Sequence, residues 1–443
     1  MVTLLALAAH LHGMNVIQDA RRVAANDPVC DACLGRCFAD RSFGLSNAER
    51  GRALRVAIAL ADDEPFEPTE TESCWVCEGE TGRFDEWAER AADALADVEF
   101  EHYQVGTRTP PLIEENEKLL RESADLSEDA GEPFNREMNR EVGKRLGALT
   151  GTEVDLERPD VLVLLNLERG DLDVQVNPAF VYGRYRKLVR DIPQTRWPCR
   201  ECGGGGTQLG PDGPEPCEHC DGTGYLYPES VEQLTTPPVR EAMAGTEATF
   251  HGAGREDVDA LMLGTGRPFV IEVKRPRRRS PDVDALEAAI NEFADGKVEV
   301  EGLRLATYEM VERVKELPAS KTYRATVEFD SPVTEAALSA ALDTLTGATI
   351  EQETPRRVSH RRAAKIRRRT VYEATGELVD ERRATVDVHG EGGLYIKELV
   401  SGDDGRTEPS LAGLLDVGAT VTALDVVAVE GEEEPFEDGA FFR

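Results

Sequence analysis

The sequence predicts a multidomain α+β fold carrying two metal-binding inserts. Three observations lead there. The chain has 443 residues, too many for one ordinary domain. Segments with helical and with strand periodicity alternate along most of its length. Eight of its nine cysteines fall in four C-x-x-C pairs. Hydrophobic residues make up 40% of the chain, enough for packed cores and too many for wholesale disorder. No apolar run approaches the roughly 20 residues that cross a bilayer, so no membrane partner is expected and a cytoplasmic location is. The apolar opening from Met1 to Ala9 lacks a charged leader and is not read as a signal peptide; Met14 is an alternative start.

Residues 1–85 are the first expected domain, a helical zinc-binding region. Val16 to Ala25 has helical spacing, and an acidic loop from Asp62 to Glu72 separates two Cys pairs. Residues 86–195 read as α/β. Helices are expected over Glu86 to Ala96 and Arg136 to Leu149, and strands over Val161 to Leu167 and Asp173 to Asn177. A turn is expected at Arg169-Gly170-Asp171 and a solvated loop over 125–132. Residues 196–229 contain a Gly- and Cys-rich insert without hydrophobic periodicity, expected as a connector. Residues 230–443 read as a second α+β domain with a mixed or antiparallel sheet. Its expected strands are Pro268 to Val273, Thr322 to Phe329, Ala384 to Val388 and Val421 to Val429, with a turn at Gly264-Thr265-Gly266 and an acidic tail from Glu430 to Asp438.

A C-x-x-C places two thiolates on one tight turn, and two such turns complete a tetrahedral four-cysteine zinc site. Cys199, Cys202, Cys217 and Cys220 have nearly zinc-ribbon spacing, with glycines after each pair that let the backbone turn under the metal. Cys30, Cys33, Cys74 and Cys77 form a second set around a longer loop. Disulfides are disfavoured in a reducing cytosol. One or two structural zinc ions are therefore expected, and all-cysteine shells leave no open position for catalysis. Cys37 is left over and is read as a packed thiol.

Net charge is -34, from 85 acidic against 51 basic residues, and of the latter only 9 are Lys and 42 are Arg. An acid-rich, Lys-poor composition fits a high-salt cytosol, where the Debye length falls to about 3 Å. Under that reading the charge reports a halophilic habitat, and local patches carry the partner question. Two acid-free clusters stand out: Lys274-Arg275-Pro276-Arg277-Arg278-Arg279, and the eight cations between Arg356 and Arg369, which include Arg361 and Arg362. Arg-rich patches suit phosphate contacts. Gly183-Arg184-Tyr185-Arg186-Lys187 is a third, with aromatic interleaving.

Several blocks together resemble the archaeal and eukaryotic tRNA pseudouridine-54/55 synthase family. They are Cys30 to Arg36 with Ser42 to Gly51, Phe180 to Leu188, Gly254-Arg255-Glu256-Asp257-Val258-Asp259, Lys321-Thr322-Tyr323-Arg324-Ala325, and Leu394-Tyr395-Ile396-Lys397-Glu398-Leu399. Their order fits, and they span nearly the whole chain. The resemblance implies a THUMP-like RNA-binding module over 86–195, ending in the Phe180 to Leu188 block. It implies a zinc-ribbon connector over 196–229 and a pseudouridine-synthase catalytic domain over 230–443. The substrate it implies is the T-arm of tRNA, at uridine 54, 55 or both, with no catalytic cofactor. A monomer is expected.

The chemistry of those blocks is consistent with the resemblance. Isomerising uridine breaks the C1′–N1 bond and rejoins the sugar at C5, which a carboxylate nucleophile can promote by attack at C1′ or at C6. The base must first leave the helical stack. Asp257 is the expected nucleophile, Arg255 the residue that holds the backbone or fills the gap, and Asp259 a hydrogen-bonding support. The resemblance further implies that Tyr323 lies against the uracil and that Lys397 pairs with Asp257 and keeps it ionised. Tyr395, Lys274, Arg275, Arg361, Arg362, Arg184 and Lys187 are expected to contact RNA. R-x-D alone is a common pattern that a salt-bridged surface turn explains better; the later blocks give it weight.

The competing expectation is a non-catalytic, zinc-dependent RNA-binding or chaperone-like protein that uses the Cys inserts and basic patches without Asp257. The second insert has the C-x-x-C-x-G-x-G pattern of J-domain co-factors, yet no His-Pro-Asp triplet occurs in the chain. A methyltransferase would need a Gly-rich cofactor loop after a strand, whereas Gly203 to Gly206 lie between Cys pairs.

Overall fold

The computed structural model describes residues 16–210, 213–316, 319–356, 364–430 and 438–443. The chain divides into two compact units, Met1–Asn177 and Pro178–Arg443.

In the first unit, residues 16–24 are helical. Helices Asp31–Arg36, Asn47–Asp62, Phe84–Leu95, Pro111–Ser123 and Phe134–Thr150 accompany a four-stranded sheet of β1 (His102–Arg108), β2 (Glu153–Val154), β3 (Val161–Asn166) and β4 (Asp171–Val176). The strand order is β2-β1-β3-β4, with β1 parallel to β2 and β3, and β3 and β4 forming an antiparallel hairpin. Alternation in β3 buries Val161, Val163 and Leu165. Helix Asn47–Asp62 begins where Ser46 and Glu49 cap each other reciprocally. One apolar core runs from Val29, Cys30 and Leu34 through Trp87 and Val105 to Met138 and Val163. Packing therefore shows no break at residue 85.

The second unit holds β5 (Ala179–Lys187), β6 (Thr207–Gly210), β7 (Gly213–Pro216), β8 (Glu247–Gly252), β9 (Leu261–Lys274), β10 (Val298–Ala306), β11 (Ser320–Phe329), β12 (Thr349–Glu353), β13 (Ile366–Asp380), β14 (Arg383–Gly390), β15 (Thr407–Glu408) and β16 (Ala419–Glu430). β6 and β7 form a hairpin inside the Cys-rich insert. The rest make one ten-stranded sheet in the order β10-β5-β9-β16-β11-β14-β13-β12-β15, with β8 also on β9. The sheet is mixed, because β9 and β16 run parallel while the other pairs are antiparallel. Residues 178–195 were expected with the THUMP-like region. Instead β5 lies between β9 and β10, inside this second sheet.

β9 positions the site. One edge pairs with β5 along most of its length. The other edge meets β16 at Leu261 and Met262, then β8 from Phe269 to Lys274. The sheet forks between β8 and β16, and residues 253–260 fill the fork. The turn expected at Gly264-Thr265-Gly266 is a bend within this continuous strand. Gly264 has φ +57°, and a Cβ there would stand 1.7 Å from the Val427 carbonyl, so only glycine lets β9 bend against β16. Two apolar clusters lie on either side of the fork. One contains Val181, Phe269, Leu286 and Val300, the other Val327, Leu342, Val386 and Leu399; Tyr323 packs against both.

Candidate active site

Residues 253–260 carry the R-E-D sequence, and their backbone is held at five of its eight carbonyls. Arg267 Nη1 donates to Ala253 O at 2.7 Å, and Gln194 Nε2 to Gly254 O at 2.9 Å. Lys187 Nζ donates to Asp257 O at 3.2 Å and to Val258 O at 3.0 Å, and the Asp191 N–H also donates to Val258 O. Arg190 Nη1 donates to Asp259 O at 2.7 Å.

Within this loop two consecutive carboxylates have opposite fates. Glu256 is sealed at 0% side-chain exposure, 3.0 Å from Arg267, itself 1% exposed. It also accepts from the Tyr185 hydroxyl at 2.8 Å, and Gln194 donates to that hydroxyl. Burial, with the Glu256 charge beside it, pushes the Tyr185 phenol well above its ordinary range. Asp257 instead keeps 34% of its side chain exposed.

Lys397 approaches Asp257 from helix Ile396–Ser401, its Nζ 3.6 Å from Asp257 Oδ2 and 2.9 Å from Asp259 Oδ2. Tyr323, on β11, completes the group. Burial raises its phenol to about 12, and the Arg267, Asp257 and Glu256 charges all act on it. The structure thus brings Lys397 to both Asp257 and Asp259, with Tyr323 near enough for the Asp257 charge to act on it. Arg255 is exposed at the same loop. Tyr395 caps the helix that carries Lys397, and its ring lies 5.8 Å from the Arg367 guanidinium.

The expected RNA-contacting cations separate into groups. Lys274 and Arg275 are exposed, Lys274 pairing with Glu247 at 2.8 Å, while Arg277 and Arg278 are also exposed. Arg279 is buried and donates to Pro178 O, so this cluster presents four cations to solvent, not five. Arg361 and Arg362 lie outside the described residues. Two expectations need correction. Lys187 is 0% exposed, with its ammonium on three carbonyls, so it cannot reach a phosphate. Arg184 directs Nε and Nη2 to the carbonyls of Thr265, Gly266 and Val429, a brace across the β9 bend.

Residues 180–430 match the family described as Pus10, C-terminal, and residues 87–166 match the archaeal Pus10 THUMP domain. The tRNA pseudouridine synthase Pus10 of Halorubrum lacusprofundi is 68% identical over 430 residues, covering 97% of this chain and 100% of the relative. That of Methanothrix thermoacetophila is 46% identical, covering 94% and 95%. The chain belongs to the Pus10 family. A solved Cbf5-Nop10-Gar1 complex aligns over 46% of the chain and 47% of its own, at 19% identity and a TM-score of 0.29, a likeness too slight to add to the assignment.

Beside its archaeal Pus10 THUMP match, both Cys sets of this chain form clusters whose sulfurs lie within 4.8 Å of one another. Tetrahedral zinc with Zn–S bonds near 2.3 Å demands sulfur–sulfur edges of about 3.8 Å. The edges are 3.8 Å for Cys30–Cys77, 3.7 Å for Cys33–Cys74, 3.9 Å for Cys199–Cys217 and 3.8 Å for Cys202–Cys220. Such separations exclude disulfides and fit a zinc ion in each cluster. Backbone N–H groups of Cys30, Gly206 and Gly224 donate to Cys74, Cys202 and Cys220, an arrangement that favours thiolates. Cys37 is buried and donates to the Cys33 carbonyl. Among the described residues, the cluster around Cys199 has no apolar core besides its own cysteines. In this Pus10-family chain a metal bound by these cysteines would hold the connector together. Among the described residues, too, no helix is long and apolar enough to cross a membrane.

Proposed function

We propose that this chain is a tRNA pseudouridine synthase in which Asp257 is the nucleophile, acting on a flipped-out uridine 54 or 55 of the T-arm, as a cytoplasmic monomer. The observation that carries the reading is the partly exposed carboxylate of Asp257 in the sheet fork, with the Lys397 ammonium at 3.6 Å and Tyr323 within range of its charge.

Asp257 attacks either C1′ of the ribose or C6 of the base, and the C1′–N1 bond breaks. The ribose rejoins at C5, the bond to the Asp257 carboxylate breaks and frees the enzyme, the C5 hydrogen leaves as a proton, and N1 takes up a proton. Atoms and electrons balance without an oxidant, a reductant or a cofactor. Lys397 offers counter-charge to a carboxylate that shares its surroundings with Asp259 and Glu256. Tyr323 offers the uracil an aromatic face with its hydroxyl protonated at working pH. Arg255, exposed two residues before the nucleophile, holds the target backbone or fills the space that the base leaves. The exposed cations Lys274, Arg275, Arg277 and Arg278 contact phosphates, and their grip falls with salt.

The test is incubation with an unmodified tRNA transcript in high salt, without cofactor, followed by pseudouridine mapping. Product from the wild-type chain and none from a tRNA-binding Asp257→Ala variant is expected. Equal product from both would remove Asp257 from the reaction.

A further inference from the structure

The end of β5 and the turn that follows it bring two cations, Lys187 and Arg190, to the loop of the proposed nucleophile. Lys187 is fully buried, and its Nζ lies 3.0 Å from Ile192 O, 3.2 Å from Asp257 O and 3.0 Å from Val258 O. An ammonium has three N–H donors, and here three carbonyls receive them. Arg190, three residues on, donates from Nη1 to Asp259 O at 2.7 Å, while its Nη2 meets Asp425 Oδ1 at 2.7 Å. Asp425 Oδ1 in turn accepts from the Leu261 N–H where β9 begins.

Resting on the reading of Asp257 as nucleophile, we infer that Lys187 and Arg190 are positioning residues that fix the backbone from Asp257 to Asp259, and so aim the Asp257 carboxylate at the ribose or base.

Two physical facts favour this role over a merely structural one. Burying an ammonium is costly, and burial does pull Lys187 below the ordinary lysine range, so a hydrophobic residue would serve packing alone at least as well. The donors also converge on one segment, the three residues that hold the nucleophile and its carboxylate neighbour. Glu256 anchors the same segment from the other side through Arg267 and Tyr185. With its neighbours on both sides tied, Asp257 has little backbone freedom left. A displacement of about 1 Å at a reacting group costs on the order of 100-fold in rate.

Single-turnover pseudouridine formation and tRNA affinity are measured together for Asp257→Asn, Lys187→Met, Arg190→Met and Arg190→Lys. Lys187→Met should lower the rate constant by about 100-fold and Arg190→Met by about 10-fold, each with tRNA affinity within about twofold of wild type. Arg190→Lys should recover most of the Arg190 loss, because it restores a donor. A purely structural role would lower affinity, melting temperature and rate together, and the lysine would not rescue. If Lys187→Met does not fold, the partly exposed Arg190 decides by itself. Wild-type rates in Lys187→Met and Arg190→Met beside an inactive Asp257→Asn overturn the positioning role alone. An active Asp257→Asn overturns the nucleophile instead.

Discussion

Glu256 and Arg267 stand 3.0 Å apart with both side chains sealed from solvent, although Glu256 is the immediate neighbour of the partly exposed Asp257. The pair anchors the loop from below while its neighbour faces outward. Removing one member leaves the other as an unpaired buried charge, which costs about 3–5 kcal/mol. Glu256→Ala should therefore lower the guanidinium midpoint of the second unit's unfolding transition by that equivalent. An unchanged midpoint would mean that the pair contributes nothing.

Lys397 lies closer to Asp259 than to Asp257, at 2.9 Å against 3.6 Å. Lys397→Met removes the counter-charge from both and should slow single-turnover pseudouridine formation by about 100-fold. Affinity for tRNA should change little, since Lys397 is one cation among many. Asp259→Asn should cost far less, about 10-fold or below, because the amide still accepts a hydrogen bond from Lys397. A larger loss in Asp259→Asn than in Asp257→Asn would exchange their roles.

Tyr323 has its phenol raised to about 12, and that of Tyr185 lies well above the usual value of 10.0. A raised folded-state value stabilises the fold in full below the unfolded value and loses that contribution as pH climbs through the folded one. The second unit's stability should thus decline between about pH 10 and pH 12. Absorbance at 295 nm should show both phenols protonated up to about pH 11. Phenolate absorbance from Tyr323 near pH 9 would contradict the raised value.

The two four-cysteine clusters should respond differently to metal loss. Cys33 and Cys74 belong to the core of the first unit, so Cys74→Ser should abolish that unit's cooperative melting. Cys217→Ser should unravel the connector and shift the melting of the ten-stranded sheet by only a few degrees, about the effect of 1 kcal/mol. Metal analysis should give two zinc ions in the wild type and one in each variant.

Among the exposed cations after β9, Arg277→Gln with Arg278→Gln should weaken tRNA binding. The slope of log affinity against log salt should fall by up to about 2, near 0.7–0.9 for each phosphate that is no longer neutralised. An unchanged slope would place this patch away from the RNA.

Much of this molecule is legible in its residues taken in order. Periodicity places the helices Phe84–Leu95 and Phe134–Thr150 and the strands β3, β11, β14 and β16 within a few residues, because each buries one face against its own unit. The C-x-x-C pairs, once paired by spacing, close into two clusters with tetrahedral edges. Lys187 shows where such reading fails. In Gly183-Arg184-Tyr185-Arg186-Lys187 it reads as part of a basic RNA-facing patch. The strand's period of two instead turns Tyr185 and Lys187 to the core and sends Arg186 to Glu299 and Glu301 on the other face. Tyr185, two residues earlier, is the signal.

Taken by itself, the sequence determined the family blocks, the metal ligands and the candidates Asp257, Tyr323 and Lys397, because those depend on residue type and order. The tertiary structure decided which of them meet. It placed Lys397 on a short helix and bent β9 at Gly264. It forked the sheet so that Asp257 faces outward while Glu256, its immediate neighbour, is sealed below. Burial and hydrogen-bond saturation depend on strands far apart in the chain. Thus two adjacent carboxylates, alike in sequence, became an anchor and a proposed nucleophile.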